Sequence, residues 1–330
     1  MSAYPDVRLR RLRLTVARRR LFDEPMPGPE KFIWPVFVRS GRNVKEPIDA
    51  MPGQFRYSAD ALLRDLERPA RAGLGGVLVF GLTENRRKDS IGAEAWRAAA
   101  PAQQAVRAIK KAYPDLVVFT DVCLCAYTRH GHCGPIGEDG QVDNDAACAC
   151  LAKVAVSHAA AGADAVAPSA MMDGQVGVIR KALAKAGFAD TLLMSYSTKF
   201  ASAMYGPFRE AEQSAPQKGD RRGYQASYRG LAQALRESEL DEAEGADMLM
   251  VKPALFYLDV IARLRQATRL PIAAYNVSGE YAMLQAAADR GMGDLKAMVR
   301  ESIFAIRRAG ADLIISYWAN RYDEFWGDNV

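Results

Sequence analysis

Apolar and polar positions along this chain follow two alternating rhythms. Short, nearly unbroken apolar runs rich in β-branched residues fall at 32–38, 76–80, 116–120, 163–167, 192–195, 246–251, 272–275 and 313–316. Between them lie stretches with helical spacing. The first has Ser58 as N-cap before Leu62, Leu63 and Leu66; others cover 104–113, 144–161, 176–186, 228–244 and 258–266, and a last one covers 281–308. Unbroken apolar runs suit strands covered on both faces, as in a parallel sheet wrapped by helices. Gly162-Ala-Asp, Gly245-Ala-Asp and Gly310-Ala-Asp each close a helical stretch and open an apolar run. Glycine there supplies the left-handed residue that ends a helix. Eight such units predict an α/β fold of the (β/α)8 TIM-barrel type. A doubly wound open sheet is the runner-up, but no Gly-x-Gly-x-x-Gly turn follows the first strand and no phosphate loop is present.

In a barrel, chemistry belongs at the carboxyl ends of the strands. Reactive residues collect there: Asp121, Cys123 and Cys125 after the third strand, Ser169 after the fourth, Lys199 after the fifth, Lys252 closing the sixth, Ser278 after the seventh and Tyr317 after the eighth. Lys252 stands among Met250, Val251, Pro253, Ala254 and Leu255, an odd setting for a solvated charge. Burial and a second nearby cation both disfavour the ammonium form, which frees a lone pair to attack a ketone. This favours catalysis at Lys252 over a snorkelling surface lysine. For Lys199 the local sequence leaves the two readings even. The 197–225 segment is the longest connection without repeat pattern and reads as a lid carrying Arg209 and Arg221, a pair able to clamp a carboxylate.

The 330 residues carry a net charge of +5, and its distribution matters more than its size. Residues 1–20 hold seven arginines against one acid, Asp6, so the body sums to −1. A transit peptide or a nucleic-acid arm fits this less well than an arm packing on another subunit, because no cleavage site, signal core or basic–aromatic stripe accompanies it. No apolar run approaches the ~18 residues that span a bilayer, so no membrane partner is expected. Five cysteines lie within 28 residues. An odd, clustered set without a secretory signal points to metal or redox chemistry in the cytoplasm rather than to a disulfide framework. Cys123, Cys125 and Cys133 sit in a Gly/His-rich loop. Three thiolates leave a coordination position open, as catalytic zinc requires. His130 or His132 is either a fourth ligand or a hydrogen-bonding neighbour. Cys148 and Cys150, two apart on a helical stretch, read as core.

Asp121-Val-Cys-Leu-Cys, His-Gly-His-Cys133-Gly, Tyr196-Ser-Thr-Lys-Phe-Ala-Ser, Tyr205-Gly-Pro-Phe-Arg, Gly219-Asp-Arg-Arg, Met250-Val-Lys-Pro, Tyr275-Asn-Val-Ser-Gly-Glu-Tyr and Ser316-Tyr occur in this order along nearly the whole chain. Together they resemble the porphobilinogen synthase (5-aminolevulinic acid dehydratase) family. The resemblance implies a lyase of tetrapyrrole (haem) biosynthesis that condenses two molecules of 5-aminolevulinate into porphobilinogen with loss of two waters. By motif, Lys252 would form a Schiff base to the first substrate, whose carboxylate meets Ser278 and Tyr317. Lys199 would hold the second, with Arg209, Arg221 and Gln225 on its carboxylate. Cys123, Cys125 and Cys133 match the zinc-binding form of the loop. The run from Arg236 resembles that of bacterial members with an activating Mg2+ site, ligated through Glu237. The family also implies an allosteric homo-octamer with residues 1–30 as its packing arm and 31–330 as one catalytic barrel. Gln217 before Lys-Gly-Asp, and Gln225-Ala-Ser-Tyr, depart from the usual lid pattern. The competing readings are a class I aldolase-like barrel using Lys252 alone, and a zinc-loop protein that binds nucleic acid through residues 1–20.

Overall fold

The computed structural model describes residues 4–326. Ten strands among them form one sheet: β1 (Phe32–Val38), β2 (Lys45–Pro47), β3 (Phe55–Tyr57), β4 (Gly76–Gly81), β5 (Val117–Val122), β6 (Ala165–Pro168), β7 (Leu192–Lys199), β8 (Met248–Lys252), β9 (Ile272–Asn276) and β10 (Leu313–Ser316). β1 and β4 to β10 are the eight apolar runs, paired in parallel in chain order. The barrel closes where Phe32 and Ile33 of β1 meet Ile314 and Ile315 of β10. Above that seam, β3 takes over as the parallel neighbour of β1, pairing Phe37 with Arg56 and Val38 with Tyr57. The β2–β3 hairpin is too short and polar at Lys45–Pro47 to have stood out in the apolar pattern.

The Gly-Ala-Asp repeat has a mechanical reason. Gly162, Gly245 and Gly310 have φ of 100°, 102° and 119°, as a left-handed helix stop requires. The aspartates then lock the foot of the barrel. Asp164, Asp247 and Asp312 accept the N–H of Val118, Leu193 and Ile272 on the preceding strand segment at 2.8, 2.7 and 2.9 Å. Their own N–H groups donate back to the carbonyls of the same three residues. Each carboxylate also pairs with a cation, Lys110, Arg180 or Arg265 respectively. One motif thus ends a helix, aligns a strand start and neutralises its own charge.

Two boundaries differ from the sequence reading. The 281–308 stretch is two helices, Ser278–Asp289 and Leu295–Ala309. Gly291, at φ 69°, breaks the run, and Asp294 caps the second helix by accepting the N–H of Ala297 at 2.7 Å. The fifth barrel strand runs on to Lys199 instead of stopping at Ser195, so the lid begins at Phe200. Its ladder to β8 carries one extra residue. Ser195 pairs with Leu249, but Thr198 already pairs with Val251 and Lys199 with Lys252. Residues 4–28 lie outside the barrel ladder, with a short helix at Val16–Phe22 that buries none of its residues within the chain.

Candidate active site

Lys252 ends β8 and is 3% exposed. Its amine lies over the rings of Tyr275, Phe208, Tyr196 and Tyr205, at 4.2, 4.7, 5.1 and 5.5 Å from the centroids. No water-facing shell is left for an ammonium. Burial first, and the Lys199 charge second, pull this amine down to about 7. Lys199 is buried beside it, in register on β7, and donates to the Ser169 carbonyl at 2.6 Å. Asp121, at the end of β5, has a buried Oδ1 without a hydrogen-bond partner; burial, with Glu212 and Cys125 close by, pushes its carboxyl up to about 7.

Cys123, Cys125 and Cys133 are buried, free, and have sulfurs all within 4.8 Å of one another. Cys123 and Cys125 stand 3.4 Å apart. Hydrogen bonding to its two neighbours draws the Cys133 thiol well below its ordinary range, while those same contacts and burial push Cys123 up. The set is the one such group among the described residues. Neither histidine joins it. His130 approaches the Ser90 carbonyl at 3.2 Å and accepts the N–H of His132; His132 bonds Tyr224 Oη at 3.1 Å and the Lys218 carbonyl at 2.9 Å. His132 thereby fastens the cysteine loop to the lid, and His130 fastens it to Ser90. Cys148 and Cys150 are buried on the helix Asn144–Ala160, as expected of core residues.

The lid folds down over these groups. Its helix Gly206–Glu212 sits on the start of the Ser278 helix, where Ser278 Oγ accepts the N–H of Phe208 at 3.0 Å. Arg221 donates to the carbonyls of Gly131 and Ser214. Yet Arg209 Nε, Arg221 Nε and both side-chain polar atoms of Gln225 are buried with no partner. Buried donors are rarely left so. Three neighbouring side chains with unspent donors are an arrangement that can accept an anion. On the opposite side, Tyr317 Oη meets Tyr275 Oη at 3.1 Å, and Tyr317 stacks on Phe37 at 6.3 Å. Glu237 is half-buried on the helix Leu231–Ala243 and lines a cleft of about 1220 Å³ with Asp173, Asn144 and Gln233, a cleft that Gln225 and His132 also line. Burial and the Asp173 charge push its carboxyl up.

A family model described as delta-aminolevulinic acid dehydratase matches residues 6–325. The chain belongs to the delta-aminolevulinic acid dehydratase family. It is 52% identical over 318 residues to the delta-aminolevulinic acid dehydratase of Methanothermobacter thermautotrophicus, covering 96% of each chain. To that of Escherichia coli K12 it is 51% identical over 312 residues, covering 94% of this chain and 95% of the other. Its structure matches the crystal structure of delta-aminolevulinic acid dehydratase (porphobilinogen synthase) from Toxoplasma gondii ME49, solved with the reaction product porphobilinogen. That match has a TM-score of 0.94 at 41% identity over 97% of this chain and 91% of the other. The activity is accordingly that of a porphobilinogen synthase, a lyase joining two molecules of 5-aminolevulinate in tetrapyrrole biosynthesis. The aldolase-like and nucleic-acid readings have no support left.

Sequence reasoning missed Glu212, Lys88 and the aromatic cage. Glu212 is 3% exposed, and its Oε2 lies 3.4 Å from Cys125 Sγ and accepts Ser214 Oγ at 2.5 Å. Burial and Cys125 push its carboxyl up to about 8. Lys88, 7% exposed, donates to the Gln213 carbonyl next to it at 2.9 Å. Neither stands in an apolar run or at a strand end, so periodicity offered no signal for them. The cage residues Tyr196, Tyr205, Phe208 and Tyr275 do flank the lysine motifs, and their aromatic spacing was the available clue.

Proposed function

We propose that the condensation runs through two amines, with Lys252 the Schiff-base nucleophile for the first 5-aminolevulinate and Lys199 holding the second. The observation that carries this is the pairing of two buried lysines in register at adjacent strand ends, one with its amine drawn to about 7. A neutral amine at working pH can attack a keto group, and a water-poor mouth preserves the resulting imine. The first substrate's carboxylate would bind Ser278 and Tyr317. The second's would take the unspent donors of Arg209, Arg221 and Gln225, with bidentate geometry open to the guanidinium groups. Asp121, poised near neutrality, is suited to move protons during loss of the two waters.

The three clustered thiols fit a zinc ion by donor chemistry and by mutual distance. Held by Cys123, Cys125 and Cys133, zinc would supply Lewis acidity to the amine or carbonyl of the second substrate. We assign Glu237 to the activating magnesium, with Asp173 beside it as the second negative charge at that cleft. Residues 1–30 are read as the arm of an allosteric homo-octamer, and the chain as cytoplasmic. No helix among the described residues is long and apolar enough to cross a membrane. The deciding test is borohydride reduction in the presence of 5-aminolevulinate followed by peptide mapping. A mass adduct on the Lys252 peptide is expected, and a clean peptide there ends this mechanism.

A further inference from the structure

Glu212 is the residue whose position the known reaction leaves unexplained. A carboxylate at the end of a helix normally turns to solvent, and burying one unpaired is costly. Here Gln213 takes a left-handed conformation, φ 52°, that stops the helix, and Glu212 is almost fully buried. Its Oε2 is held by Ser214 Oγ and placed 3.4 Å from Cys125 Sγ. On a tetrahedral zinc, bond lengths near 2.3 Å to sulfur and 2.1 Å to oxygen put neighbouring S and O ligands about 3.6 Å apart. Both the Cys123–Cys125 contact and the Cys125–Glu212 contact, each 3.4 Å, are close to such an edge.

Cations stand around the carboxylate as well as around the thiols. Lys88 holds the Gln213 carbonyl, and Arg221 holds the Ser214 carbonyl at 2.5 Å, so both residues that follow Glu212 are pinned by a buried positive charge. A three-thiolate zinc site carries one net negative charge; a fourth anionic ligand makes it two, and Lys88 and Arg221 are placed to offset the addition.

Resting on the zinc reading above, we propose that Glu212 is a fourth protein ligand of the thiolate metal site and closes the position that the three cysteines leave open. The three sulfurs are mutually within 4.8 Å while Glu212 lies against Cys125 alone, so ligation requires its carboxylate to turn toward Cys123 and Cys133 as the metal binds. Substrate then displaces Glu212 rather than water, and the released carboxylate stays beside the incoming amine, tied to Ser214.

The test uses the full-length protein loaded with Co2+ or Zn2+, compared with Glu212→Gln and Glu212→Ala. Sulfur-to-cobalt charge-transfer intensity counts the thiolates, and the d–d bands report the fourth ligand. The expected result is unchanged charge transfer in the variants, shifted d–d bands, and zinc loss to a competing chelator roughly 10- to 100-fold easier. Identical d–d bands and chelator competition in wild type and both variants overturn the proposal while leaving the three-thiolate site intact. Absence of charge transfer in the wild type overturns the zinc reading itself and this proposal with it. Should the variants not fold, the zinc-loaded wild-type crystal structure decides: a Glu212 oxygen within about 2.2 Å of the metal supports ligation, and one beyond 3 Å with water in the position overturns it.

Discussion

At the residue scale, the site works by withholding water from charge. Lys252 is buried with aromatic faces around its amine and Lys199 beside it, so the neutral form gains at pH values where an exposed lysine would be fully protonated. Its pKa lies near 7, so the fraction able to attack should rise as pH climbs through that value, and the borohydride trapping rate should follow the same rise. A flat profile from well below to well above 7 contradicts the assignment. Lys252→Met should lose at least about three orders of magnitude in kcat while retaining substrate binding through the carboxylate groups. His158 shows the same physics without function. It is 1% exposed, both ring nitrogens lack partners, and burial pulls it down to about 4. A histidine whose folded pKa lies below its unfolded value contributes stability above about 6.5, lost as pH falls toward 4. His158→Phe should therefore soften the drop in Tm across that window; an equal drop in both proteins rules His158 out as its source. The lysines and cysteines were legible because their residue types at strand ends are anomalous. Glu212 was not, since a glutamate on a helix is ordinary until the chain is seen to turn it inward.

At the element scale, the eight apolar runs reported themselves because strands buried on both faces leave no polar alternation, and the Gly-Ala-Asp repeat marked three of their starts. What it did there was hidden, because reciprocal bonding between Asp312 and Ile272 joins residues 40 positions apart. Asp312→Ala removes the acceptor of a buried N–H and the partner of Arg265, which should cost about 1–3 kcal/mol, read as a fall in denaturation midpoint with little change in KM. The lid was foreseen as a long connection, but its seat was not. Gly279 lies so close to Met204 that an added Cβ would come within 2.5 Å of the Met204 carbonyl oxygen. Gly279→Ala should push the Ser278 helix and the lid apart, costing about 1–3 kcal/mol in stability and raising KM. An unaltered KM would show that the lid is seated by other contacts.

For the whole molecule, residues 4–28 meet the rest of the chain mainly at their end, where Met26 packs on the core and the Pro27 carbonyl accepts Tyr322 Oη at 3.0 Å. Leu9, Leu21 and Phe22 are 67%, 75% and 57% exposed, an apolar surface that a basic arm would cover on a second copy. Deleting residues 1–23 should shift the sedimentation profile to smaller species; an unchanged profile excludes the arm from assembly. Charge sets this segment apart in the sequence, since arginines concentrate there, but its exposed apolar side chains only a folded outline reveals. The extra residue between Ser195 and Thr198 carries a last consequence. Side chains on a strand alternate faces, so one added position inverts odd and even for everything downstream. The pairing of Lys199 with Lys252 is thus a matter of counting. From Ser195 to Lys199 the chain takes four steps and from Leu249 to Lys252 three, so it is the bulge that lets two strands of unequal count deliver their lysines face to face.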